Sequence, residues 1–162
     1  MRRNTTQTCL AGEFLVLAEL ARRDAVASLT LRNSKGIDIL VAPANKHVAY
    51  KVEVKTARNR LTHARLWHAD EYCLTWRLSK KHETMNDPRL FFVLVHLPDP
   101  PERPRFFLAR CREVAKYVRW EHAYWLKKSK GKDITDGDMR IFRIPQSLMP
   151  GYEDNWRLLD LP

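Results

Sequence analysis

HVAYKVEVKTARNR, residues 47–60, is the stretch on which the fold turns. It alternates with period two. Val48, Tyr50, Val52 and Val54 point one way, and Ala49, Lys51, Glu53 and Lys55 point the other. The apolar set predicts a strand over 47–56 with one face on a core. The opposite set places an acid and two bases in a row, with Glu53 and Lys55 on the same side. Such a row is either a wet face carrying a plain ion pair or half of a metal-dependent catalytic site.

Upstream, Gly36 opens a second alternating run over 37–42. Ile37, Ile39 and Val41 face one way, Asp38 and Leu40 the other. Pro43-Ala44-Asn45-Lys46 is too short to be anything but a tight connection, so the two runs predict a β-hairpin. Asp38 and Glu53 then lie on paired strands, each opposite its strand's apolar set. Two neighbouring carboxylates repel, which raises one proton affinity or calls for a cation. Magnesium suits such a pair, because it prefers oxygen ligands and keeps several waters. Lys55, on the side of Glu53, can orient a metal-bound water or stabilise charge on a phosphate under attack.

Further upstream, Thr5 or Thr6 can cap a helix running to about Arg23. Leu10, Phe14, Leu17, Ala18 and Ala21 form its apolar stripe, and Glu19–Arg23 is an i,i+4 pair on a wet face. Glu13 falls between Leu17 and Leu20, on the flank of that stripe. A carboxylate there costs free energy unless it reaches water, pairs with a cationic side chain or binds a cation. A short strand over 26–31 links the helix to the hairpin.

Downstream, 57–69 reads as a loop plus a short helix, 71–78 as a strand and 80–89 as an exposed loop. The near-continuous apolar run 90–97 predicts a strand covered on both faces. Prolines at 98, 100, 101 and 104 make a stiff turn, after which 105–109 pairs back onto 90–97. A helix over 113–128 has Val114, Tyr117, Val118 and Trp125 on one side, and 140–144 is a last strand.

The chain has 162 residues, which suits one domain over 1–162, and 44% hydrophobic residues, enough for a core. Its 29 Lys+Arg against 19 Asp+Glu give a net charge of +10. A domain this basic attracts polyanions, nucleic acid first. An anionic membrane is a weaker partner, since no basic amphipathic helix stands out and no apolar run spans a bilayer. Glu13 and Glu19 interrupt the apolar stretch that begins at Cys9, against a signal peptide. The expectation is a soluble, cytoplasmic protein. Three widely spaced cysteines without a C-x-x-C pair fit reduced thiols and give no zinc signature, nor do the histidine spacings.

Gly12-Glu13, Gly36-Ile37-Asp38-Ile39-Leu40 and Val52-Glu53-Val54-Lys55-Thr56 together resemble the PD-(D/E)XK nuclease superfamily. The layout is similar to archaeal Holliday junction resolvases and small restriction-endonuclease-like proteins. The resemblance covers residues 5–57; beyond, only the order of elements over 71–144 continues it. It implies an α/β, restriction-endonuclease-like fold: a mixed central β-sheet flanked by helices, with an α-β-β-β start. It implies a Mg2+-dependent endonuclease, with Mn2+ as a substitute, acting on DNA. Asp38 and Glu53 match the metal-binding acids, with the Val54 carbonyl as a further ligand. Lys55 matches the catalytic lysine, and Glu13 the first-helix acid that completes the metal site directly or through water. Thr56 follows the lysine, where it would touch phosphate or backbone. Gly36-Ile37 stands where some members have Pro before the first acid.

Arg58 and Arg60 follow the lysine strand and would bind flanking phosphates. Lys128 and Lys130 would extend the basic track. Trp67, Trp76, Trp120 and Trp125 read as core or dimer contacts ahead of base-stacking platforms. Related resolvases and restriction-type enzymes often dimerise to cut two strands, so a homodimer is an option. The alternative is a non-catalytic nucleic-acid-binding protein that keeps the nuclease fold, or a partner-binding subunit in which Glu53 and Lys55 are a structural pair.

Overall fold

The structure, a computed structural model, describes residues 4–31, 36–44, 46–66, 69–128 and 136–162. Helix α1 (Thr5–Ala21) leads into β1 (Ala25–Leu29), β2 (Ile39–Pro43) and β3 (Tyr50–Ala57), the α-β-β-β start that the sequence predicts. The helix is capped by Asn4 rather than by Thr5 or Thr6: its Oδ1 accepts from Thr6 N at 2.9 Å and Gln7 N at 3.4 Å.

The main sheet has five strands in the order β1-β2-β3-β6-β7, with β6 (Leu90–His96) and β7 (Arg105–Arg110) completing it. Strand β3 runs parallel to β6, and the other neighbours are antiparallel, so the sheet is mixed. Parallel neighbours need a crossover. Here it holds β4 (Thr62–Leu66), β5 (Ala69–Ser79) and the 3-10 turn Lys80–Thr84. With β8 (Met139–Pro145), β4 and β5 form a second, antiparallel sheet in the order β4-β5-β8. Helix α2 (Cys111–Lys128) follows β7, and short helical turns, including α3 (Met149–Tyr152), end the chain.

Register puts the apolar residues of β2 and β3 on one face, since Ile39 lies opposite Val52 and Val41 opposite Tyr50. Val16 and Leu20 of α1 close this first core layer. On the other face Phe92 and Leu94 of β6 meet Leu74 and Trp76 of β5, Phe142 and Ile144 of β8, and Val114 and Val118 of α2. Strand β6 is therefore buried along its whole length, as a doubly covered strand should be.

Four sequence expectations change. The buried stripe of α1 is Gly12, Val16 and Leu20, while Phe14 is 54% exposed and Ala18 and Ala21 face solvent. A hydropathy stripe gives no weight to Gly12, yet the helix approaches the sheet most closely there. Residues 57–69 supply β4 instead of a helix, because their backbone pairs with β5 from Thr62↔Cys73 to Leu66↔Ala69. The polar stretch 80–89 is not simply an exposed loop, for His82 is buried. Trp125 sits at the rim, 40% exposed, because β8 packs against the Val114–Val118 face of α2. Trp67, His68 and Lys130 lie outside the described residues.

Candidate active site

Asp38 sits just before β2, where its backbone is pinned from both sides. Its N–H donates to Val52 O at 2.8 Å and its carbonyl accepts from Thr30 N at 2.9 Å. Its side chain turns to β3 and accepts from Val54 N at 2.7 Å through Oδ2. N–H and C=O of one strand residue project to the same side. The Val54 carbonyl thus opens beside Asp38, past the last β2–β3 pair, Ile39↔Val52. Burial pushes the Asp38 carboxyl above its ordinary value, and the charge of Glu53 adds to this, against the Val54 N–H and Lys55.

Glu53 is 1% exposed, so its face of β3 is not a wet one. Its Oε1 accepts from Lys55 Nζ at 2.8 Å and from His82 Nε2 at 2.9 Å, with Lys81 Nζ at 3.7 Å. Burial acts to raise its proton affinity. Donation from His82 and the ammonium of Lys55 outweigh it and hold the carboxyl down at about 2. Oε2 is buried with no hydrogen-bond partner among the described residues. Gly36, at φ +75, lies beside that oxygen: a Cβ there would come within 3.2 Å of it.

Helix α1 reaches the site through Gly12. A Cβ at Gly12 would fall 1.8 Å from Thr56 Oγ1, so only glycine lets the helix rest on β3 at this point. That approach brings the next residue, half-buried Glu13, into a cleft of about 800 Å³ shared with Asp38, Val54, Lys55 and Thr56. Arg58, His63, Arg77 and Arg143 line the same cleft, the last three from the second sheet.

The structure therefore brings Glu13, Asp38, Val54, Lys55, Thr56 and Arg58 to one cleft, with Glu53 buried behind Lys55. Arg60 and Lys128 are exposed and outside its lining; Lys128 Nζ lies 4.9 Å over the Tyr124 ring on α2. Trp76 is core, donating its indole N–H to Val95 O at 3.0 Å. Sequence reasoning missed Arg77 and Arg143, and the contact that His82 makes with Glu53. No local pattern marks them, because they arrive from segments distant in sequence.

Among the described residues no group of three His, Cys, Asp or Glu side chains could hold a metal ion unaided. A mixed donor set could hold one: Asp38, the Glu53 oxygen that has no partner among the described residues, and the Val54 carbonyl. It suits a hard cation that completes its shell with water. A buried oxygen without a donor and a carboxylate destabilised by burial would both be relieved by a positive charge between them.

No protein-family model matches the sequence, and no curated protein matches it. Among solved structures, the bacterial homing endonuclease I-Ssp6803I is similar, with TM-score 0.54 and 12% identity over 97% of this chain and 93% of that one. The Holliday junction resolvase Hjc of Archaeoglobus fulgidus gives TM-score 0.48 and 13% identity over 94% and 95% of the two chains. At such identity the likeness concerns architecture. Taken with the mixed sheet and its α-β-β-β start, the likeness to the homing endonuclease gives this chain a restriction-endonuclease-like α/β fold, a mixed central sheet flanked by helices.

Proposed function

We propose that the protein is a Mg2+-dependent endonuclease of the PD-(D/E)XK type that hydrolyses phosphodiester bonds in DNA. The observation that carries this reading is the convergence of Asp38, the Val54 carbonyl and Lys55 on one cleft, with Glu53 behind them offering an unsatisfied oxygen. Asp38, Glu53 and the Val54 carbonyl would hold the cation, and Glu13 would complete the site directly or through water. The bound ion would supply Lewis-acid polarisation and an activated water. Lys55 Nζ would orient that water and stabilise charge on the attacked phosphate, anchored by its bond to Glu53. Arg58, Arg77 and Arg143 would hold the backbone on either side, with Thr56 touching phosphate or backbone. Arg60 and Lys128 would extend the track outside the cleft, and the sequence offers Lys130 for the same role.

One observation favours a second reading, a nucleic-acid-binding protein without catalysis. Glu53 Oε1 is already occupied by Lys55 and His82, as in a plain structural ion pair. A cleavage assay decides. Labelled duplex, single-stranded and four-way-junction DNA, and RNA, are incubated with Mg2+, Mn2+ or EDTA. Cutting that needs metal and is lost in Asp38→Asn and Lys55→Ala is the expected result. Salt-sensitive binding without cutting, unchanged in both variants, would establish the second reading.

A further inference from the structure

Glu53 has two donors within hydrogen-bond reach of one oxygen and, among the described residues, none on the other, and half of that asymmetry comes from outside the hairpin. His82 stands on the Lys80–Thr84 turn, is itself 1% exposed, and places Nε2 2.9 Å from Glu53 Oε1. Its other nitrogen is fixed by Ser79: Nδ1 accepts from Ser79 N at 3.0 Å, and lies 3.1 Å from Ser79 Oγ and 2.9 Å from Ser79 O. With Nδ1 as acceptor, the ring proton sits on Nε2 and is given to Glu53. The ring also packs edge-on to Phe92, with centroids 5.6 Å apart. The turn is clamped in turn by Glu83, which accepts from the buried Arg140 of β8.

We infer that His82 is a positioning residue for the site: it saturates Glu53 Oε1 so that Oε2, beside Gly36, is the oxygen presented to a divalent cation. The inference rests on the nuclease reading of the same site. An unsatisfied buried oxygen is costly, and a plain ion pair gives no reason to keep one. A carboxylate held from behind for an ion in front does, and partners of this kind orient metal ligands generally.

The test is Mn2+ titration calorimetry on the full chain, with thermal melting to confirm folding, for wild type, Asp38→Asn, His82→Leu, His82→Gln and His82→Asn. Asp38→Asn should lose the ion. His82→Leu should bind it about 10–100-fold more weakly. His82→Gln carries an amide N–H to the position of Nε2 and should recover most of that loss; His82→Asn is a bond shorter and should not. In cleavage, His82→Leu should raise the half-saturating Mg2+ concentration more than it lowers the rate at saturating metal. A purely structural role would lower the melting temperature and leave Mn2+ affinity unchanged. Folded His82→Leu binding Mn2+ like wild type, while Asp38→Asn does not, overturns the inference and leaves the nuclease reading standing. If His82→Leu does not fold, equal affinities for the Gln and Asn variants overturn it instead. Wild-type protein that binds no Mn2+ overturns both.

Discussion

Asp38 and Glu53 are neighbours whose proton affinities move in opposite directions, and stability should follow. Burial raises Asp38 above its ordinary value of 3.8, so the folded protein holds that proton more tightly than the unfolded chain. The ionised form therefore costs stability at neutral pH, and the cost disappears below 3.8, where both states are protonated. Asp38→Asn should melt at a higher temperature than wild type near neutrality, with the gap closing as the solution is acidified, while cleavage is lost. Glu53 has the opposite sign. Held at about 2, it contributes fully above its ordinary 4.5 and loses that contribution as pH falls from 4.5 to about 2. Glu53→Gln removes the charge that His82 and Lys55 share while keeping an acceptor oxygen, and should cost roughly 1–3 kcal/mol, with a flatter acid limb in the stability–pH curve from urea titrations.

At the scale of elements, the site depends on how closely α1 rests on β3. Gly12→Ala drives a methyl into Thr56, 1.8 Å from Oγ1 and 2.9 Å from Cβ. Overpacking of this kind costs about 1–3 kcal/mol. Adding Thr56→Ala removes the nearest atom but not the second, so the double variant should regain part of the loss; a double-mutant cycle by denaturant unfolding measures it. Activity should fall further than stability in Gly12→Ala, because lifting the helix moves Glu13 away from Asp38. The hairpin was legible from its alternation, and β6 and its pairing with β7 from an unbroken apolar run and the stiff proline turn after it. Strand β4 was not, since a pairing with β5 decides it and five residues carry little period of their own. The stripe of α1 was misread for a related reason: close approach at a glycine outweighs apolar character.

Across the whole molecule, the net charge of +10 predicts strongly salt-dependent nucleic-acid binding. Arg58 and Arg77 line the cleft from different sheets, one beyond the end of β3 and one on β5. Arg58→Ala and Arg77→Ala should each reduce the slope of log affinity against log salt by about one. Arg60→Ala and Lys128→Ala should reduce it less, being outside the cleft lining. Filter binding of a labelled duplex across a salt series reads all four.

The sequence by itself determined the catalytic candidates Asp38, Glu53 and Lys55, because strand periodicity and a short connection put them on one hairpin and local geometry follows from local order. It determined β6 as a doubly covered strand, because only burial on both faces tolerates so unbroken an apolar run. Only the tertiary structure decided that Glu53 lies buried behind the cleft, that His82 holds it there, and that a second sheet lends Arg77 and Arg143 to the opposite wall. These are meetings between segments tens of residues apart, fixed by packing across two core layers. No spacing rule along the chain encodes them.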